Sequence, residues 1–156
     1  MTNARLAAVT IDPASLASAG PEVEQEREVA IADLLEDNLF QPAGGEGGPY
    51  TLHIAREDNR LVLLVAGPAY QRTHGLSLTP FRGIIRDYFM VCDSYFDAVR
   101  GSSPQQIEAL DMGRRGLHNE GSELLRERLA GKIDTDLETA RRLFTLICAL
   151  HRRTAL

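Results

Sequence analysis

The chain has 156 residues, of which 44% are hydrophobic and 25% charged, and its formal net charge is −5. Those values exclude wholesale disorder, and a chain of this length buries enough surface to fold as one domain, residues 1–156, without disulfide or metal staples. The negative balance excludes indiscriminate binding to nucleic acid, whose affinity rests on neutralising phosphates.

In chain order, Arg5–Ile11 reads as a short strand ended by Asp12-Pro13. Pro21 opens a helix expected to reach about Phe40. Proline suits the first helical position, Glu22, Glu24 and Glu26 complement the dipole, and Val23, Ala30, Ile31, Leu34, Leu35 and Leu39 share one face. Gln41–Pro49, rich in proline and glycine, is expected to be neither helix nor strand. Tyr50–Arg56 and Arg60–Ala66 form a hairpin turning at Asp58-Asn59, residues that tolerate positive φ. The unbroken run Leu61–Val65 predicts a central strand covered on both faces. A third strand takes in His74–Leu78.

Thr79-Pro80 then starts a helix to about Arg100. Its stripe of Phe81, Ile84, Ile85, Tyr88, Phe89, Cys92, Tyr95, Phe96 and Val99 predicts the spine of the core. Ser103-Pro104 opens the next helix, ended near Ala130 by Gly131. The last helix begins at a capping box, Thr135-Asp136-Leu137-Glu138, and is apolar nearly all round. The order β-α-β-β-β-α-α-α implies an α+β fold: a small, mainly antiparallel sheet of three to four strands backed by four helices.

No apolar run approaches the roughly 18 residues of a membrane span, and the first residues lack the apolar core of a signal peptide. Cys92 and Cys148 lie in apolar helical patterns and read as buried thiols of a reducing compartment. The expected location is the cytoplasm, with no membrane association. Charge is uneven along the chain. Residues 1–79 carry 5 arginines against 11 acids, residues 80–156 carry 12 basic residues against 11 acids, and Lys132 is the one lysine.

The helix over 104–130 breaks the rules of a core helix. Ile107, Leu110, Leu117, Leu124, Leu125 and Leu129 define an apolar face, yet Asp111, Arg114 and His118 project from its middle. Buried isolated charges cost several kcal/mol, so these groups must be paired, wet or functional. Gly113, Gly116 and Gly121 share the helix, each at a cost of about 1 kcal/mol against alanine. Two accounts fit. One is a satisfied polar cluster, with Asp111 as the structural partner of Arg114, His118 hydrogen-bonded, and the glycines admitting the long aromatic helix. The other is an anion pocket in which Arg114 and Arg115 grip a phosphate or carboxylate, His118 and Asn119 donate beside them, and Arg82 and Arg86 contribute from the aromatic helix.

The stretch Asp111-Met112-Gly113-Arg114-Arg115-Gly116-Leu117-His118-Asn119-Glu120-Gly121-Ser122 resembles the signature of a bacterial family, the uncharacterised protein family numbered 0262. Gly47-Gly48-Pro49-Tyr50, Ser77-Leu78-Thr79-Pro80-Phe81-Arg82 and Ala140-Arg141-Arg142-Leu143-Phe144 resemble further blocks of it. The resemblance covers nearly the whole chain, and it implies no activity, cofactor or catalytic residue to carry over.

Catalytic templates are missing. His53, His74, His118 and His151 make no metal spacing with either cysteine, so no metal or cofactor is expected, and no Walker loop, dinucleotide fingerprint or nucleophile elbow occurs. One arrangement survives: His118 and Glu120 as an acid–base pair beside Arg114 and Arg115. On an ideal helix the two lie about 160° apart, so they meet only if Gly116 or Gly121 breaks the helix. Arg141-Arg142 and Arg152-Arg153 offer a basic surface toward RNA, but each pair also suits a solvated helix edge or C-terminus. The leading expectation is a non-enzymatic binding or regulatory module for an anionic small molecule or a protein partner. The alternative is a metal-independent enzyme acting on a phosphorylated small molecule or RNA. A concave pocket with His118 bonded to a carboxylate favours the enzyme, a flat patch an interface, and a closed network internal scaffolding.

Overall fold

The computed structural model describes residues 3–152. Four strands, β1 (Leu6–Ile11), β3 (Tyr50–Glu57), β4 (Arg60–Gly67) and β5 (Tyr70–Ser77), form one sheet in that spatial order. Strands β3, β4 and β5 pair antiparallel, and β1 lies parallel to β3. Parallel pairing needs a crossover, which α1 (Pro21–Glu36) provides. The other helices are α2 (Arg82–Val99), entered through a single 3-10 turn at Thr79–Phe81, α3 (Pro104–Leu129) and α4 (Leu137–His151). The fold is α+β, with a mainly antiparallel sheet and four helices. The hairpin turns where expected, with Asp58 at φ 55°, and Gly131 (φ 82°) follows α3 in the left-handed region that glycine enters freely.

Two strands escaped the sequence reading. Phe40–Pro42 (β2) and Ile133–Thr135 (β6) form a separate antiparallel ribbon, so the segment after α1 is not all loop. Three residues are too few to show a period of two, and proline is tolerated because a two-stranded ribbon consists of edges. Helix α1 stops short of the expected Phe40 because Asn38 intervenes. Its side-chain amide donates to the Leu34 carbonyl (2.9 Å), and its Oδ1 accepts from the Leu6 backbone N–H (2.7 Å). One residue thus ends the helix and anchors β1.

Alternation decides the sheet. Leu52, Ile54, Leu61, Leu63 and Val65 are buried on one face, which packs into the core cluster with Leu143, Phe144, Leu146 and Ile147 of α4. The opposite face is only half covered: Val62 and Leu64 are intermediate, flanked by Ala55 and His53 on β3 and by Gly75 and Thr73 on β5. Strand β4 is central but not wrapped on both sides, because the helices pack on one another beside the buried face of the sheet. Helix α3 packs against both α2 and α4, and α4 packs against α1.

The spine of the core is α4, where nine residues are buried, rather than α2. Phe81 of the 3-10 turn and Ile85 and Cys92 of α2 are buried, but Phe96 (56% exposed) and Val99 (54%) are not. They lie at the end of α2, toward the turn into α3. Across that turn Ile107 and Leu110 are only half-buried, and the buried face of α3 begins at Gly121. The capping box also resolves differently. Asp136 caps α4, accepting from the Thr139 N–H (2.8 Å), while Thr135 belongs to β6 and Glu138 pairs with Arg141.

Candidate anion cleft between helices α2, α3 and α4

Ser103 caps α3 by accepting the Gln106 N–H (3.3 Å), and the helix runs unbroken through all three of its glycines. An α-helix places residues three and four apart on one face. Arg114, Arg115, His118 and Asn119 therefore line one side of a cleft of about 560 Å³. Arg141 and Thr145 of α4 form the opposite side, and Tyr88 of α2 closes one end.

Two of the three arginines share Asp111. Arg114 donates to Asp111 Oδ1 (2.5 Å) and Arg115 to Oδ2 (3.0 Å). The hydrogen bond from Arg114 and the two adjacent guanidinium charges hold the Asp111 carboxyl below its usual range. Arg114 also lies over the Tyr95 ring, 5.0 Å from its centroid, and its Nε is buried without a partner. Across the cleft, Arg141 Nε donates to Asn119 Oδ1 (3.0 Å), and Arg141 pairs with Glu138. Binding Oδ1 in this way leaves the Asn119 amide N–H groups as donors. Three guanidiniums face two carboxylates, and a guanidinium has five N–H donors, so unused donors remain.

His118 is fixed by hydroxyls. Thr145 Oγ1 donates its proton to the Arg141 carbonyl (3.0 Å), so it accepts from His118 Nε2 at 2.8 Å. Ser122 Oγ donates to the His118 carbonyl (2.7 Å) and has no proton left for His118 Nδ1, 3.5 Å away. These bonds assign the neutral Nε2–H tautomer. An edge contact with Phe144 (5.3 Å between centroids) and a tilted one with Tyr88 (5.5 Å) complete the seat. Burial, reinforced by the charges of Arg141 and Arg114, lowers the His118 pKa from its ordinary value. Among the described residues, no carboxylate is a hydrogen-bond partner of His118. With α3 unbroken, Glu120 stays on the exposed side of the helix.

The glycines divide. A methyl at position 121 would overlap the Phe144 ring, so Gly121 admits α4 and not the aromatic helix as expected. A Cβ at Gly113 would make ordinary contact with Val91 of α2, 3.8 Å away. Nothing in the structure explains Gly116, around which space is open.

The family model for the uncharacterised protein family UPF0262 matches residues 3–153. The chain belongs to UPF0262. A UPF0262 protein of Phenylobacterium zucineum is 66% identical over 149 residues, covering 96% of this chain and 94% of the relative. UPF0262 proteins of Caulobacter vibrioides (63% over 151 residues; 97% and 95%) and Xanthobacter autotrophicus (59% over 152 residues; 96% and 93%) are also similar. No solved structure matches.

Of the residues that the sequence singles out in this UPF0262 chain, Arg114, Arg115, His118 and Asn119 meet in the cleft. Arg82 and Arg86 do not line it. Arg82 donates to Asn59 (2.5 Å) beside the hairpin turn, and Arg86 is an exposed partner of Asp87. Arg141, read from sequence as a solvated edge residue, supplies the facing guanidinium. Its neighbour Arg142 turns away to the Asp37 carbonyl. Arg152 lies 4.4 Å over the Phe89 ring and pairs with Glu26 (3.3 Å), while Arg153 falls outside the described residues. Among the described residues, no group of three or more His, Cys, Asp or Glu is placed to hold a metal ion, and no helix is long and apolar enough to cross a membrane. Cys92 and Cys148 are free and buried, and burial pushes both thiols up.

Arg114→Ala is expected to cost only about 1 kcal/mol, because Asp111 keeps Arg115 and retains contact with water. A loss of several kcal/mol in chemical denaturation would make the cluster internal scaffolding. The histidines set a pH dependence. His118, His74 and His151 all have folded-state pKa values below the ordinary 6.5. As pH falls, the unfolded chain takes up these protons first, so stability is full above that value and declines below it. The slope of melting temperature between neutrality and about pH 5 should be shallower in His118→Gln, with His74 and His151 carrying the remainder. An unchanged slope would mean that His118 titrates alike in both states.

Proposed function

We propose that this chain is a non-enzymatic binding module whose cleft takes an oxyanion, phosphate or carboxylate, on Arg114, Arg115 and Arg141. The observation that carries the reading is the convergence of three guanidiniums from two helices on one concave, solvent-reachable cleft. Their two carboxylate partners leave one net positive charge and unused N–H donors. Planar guanidiniums match the oxygens of phosphate and carboxylate better than ammonium groups do. The Asn119 amide stands beside them as a neutral donor.

The alternative, a metal-independent enzyme acting on a phosphorylated small molecule or RNA, asks His118 to exchange protons with a substrate. Its Nε2 proton is committed to Thr145, its Nδ1 faces the buried Ser122, and Glu120 lies off the cleft. General acid–base work needs a nitrogen within reach of the substrate, with a partner to orient it. The hydroxyl seat serves a structural and recognition role better.

The test is calorimetric titration of phosphate and sulfate into the wild type, Arg115→Ala and Arg141→Ala. Charge-assisted hydrogen bonds contribute about 1.5–3 kcal/mol each, so either variant should weaken binding by about ten- to a hundredfold. Neither arginine is buried, so melting temperatures should stay close to wild type. No binding to the wild type would transfer the reading to a protein partner.

A further inference from the structure

A second recess adjoins the cleft. Where α1 faces α4, the side chains are small: Ala30, Cys148 and Ala149 are each at most 5% exposed and floor a groove of about 350 Å³. Val29, 49% exposed, forms its wall, and Glu26 and Arg152 stand at its rim. Tyr88 and Thr145 line this groove and the anion cleft alike. Thr145 is small and exposed, so it separates the two recesses as a low ridge rather than a partition. Burial keeps the Tyr88 phenol protonated, so the shared wall carries no charge.

The two recesses differ in chemistry. One side of the ridge carries Arg114, Arg115 and Arg141. The other offers an apolar floor, with the Asp33 carboxylate along its edge and Glu26 already paired with Arg152. A negative group is therefore drawn to the arginine side and repelled from the α1 side, while an apolar group gains by covering Val29 and the alanines. Each recess falls in the size range of small-molecule sites.

Building on the anion reading above, we infer that the ligand is an amphiphilic anion. Its phosphate or carboxylate head sits on the three arginines, and a short apolar tail crosses Thr145 into the α1–α4 groove. The tail explains why a large apolar residue such as Val29 stands half-exposed beside small buried ones: the groove is a surface kept for an apolar guest.

The experiment is calorimetric titration of inorganic phosphate and of ethyl, butyl and hexyl phosphate, at fixed salt, into the wild type, Val29→Glu and Arg141→Ala. In the wild type each added methylene should tighten binding about two- to fourfold. Val29→Glu, an exposed helical substitution that the fold tolerates, should abolish that increment while leaving inorganic phosphate unaffected. Arg141→Ala should weaken every member of the series together. Equal affinity across the series in the wild type would overturn the tail site and leave the anion reading standing. An increment that survives in Val29→Glu would place the tail elsewhere and also overturn it. Failure of the whole series to bind would remove the anion reading and this inference with it.

Discussion

Phe144→Ala should destabilise the protein by about 3–5 kcal/mol, the usual cost of emptying a large, fully buried aromatic site. The ring is 0% exposed, belongs to the central cluster, and meets Gly121, His118 and Tyr88 from two other helices. Its removal would leave a void that α3 and α4 cannot close, because the sheet fixes α4 on its other side. At roughly 2–4 °C per kcal/mol for a chain of this size, the melting temperature should fall by about 6–20 °C. The loss should also reach the cleft, since His118 would keep only one of its two aromatic neighbours, Tyr88. A cost near 1 kcal/mol in urea denaturation would contradict the placement of this ring.

The same substitution at two glycines of α3 should act in opposite directions. Gly121→Ala drives a methyl into the Phe144 ring. Overpacking of a filled core costs about 1–3 kcal/mol and occasionally more. Helix propensity returns about 1 kcal/mol, but the ring is held from all sides, so the net result should be a loss of about 2 kcal/mol. Gly116→Ala meets open space and should gain up to about 1 kcal/mol from propensity alone. The two sites also differ in coupling. In a Phe144→Ala background the penalty at 121 should vanish or reverse, because the obstacle is gone, whereas the gain at 116 should persist. Additive behaviour at 121 and 144 would rule out the close approach of the two helices.

Much of this was legible in the sequence, for physical reasons that can be named. Turns and helix ends are local, so Asp58-Asn59, Pro21, Ser103-Pro104 and Gly131 mark their own positions. The charged patch on α3 is also local: Arg114, Arg115, His118 and Asn119 share a face whatever surrounds the helix, which is why they meet in the cleft. Tertiary arrangement was not legible. The stripe on α2 continues to Val99 with the periodicity of a core helix, but periodicity does not say how much of the stripe its neighbours cover. Arg141 looks like an edge residue on α4 alone, and becomes half of a site only when α3 is laid beside it. Arg27 is the other surprise. It is only 4% exposed, in line with Val23, Ala30 and Leu34, and donates to the carbonyls of Leu16 and Ala17. A composition-based wheel places a cation in solvent, and only the turn over residues 12–17 gives those donors a buried use.

The ribbon of β2 and β6 has a consequence for how the molecule is made. It joins residues 40–42 to 133–135, and beside it the Leu39 N–H donates to Thr139 Oγ1 while Arg142 reaches the Asp37 carbonyl. These closures span most of the chain, and so does the packing of α1 on α4. Contacts so distant in sequence are costly to close and tend to form late. On the ribosome, the hairpins of the sheet can pair early and α1 can lean on β1, but the side of α1 that meets α4 stays uncovered until residues 137–151 have been made. The nascent chain must therefore carry a half-covered helix from the completion of α1 until α4 is made, and a product cut short before α4 would remain an unclosed fragment open to proteases rather than a smaller protein.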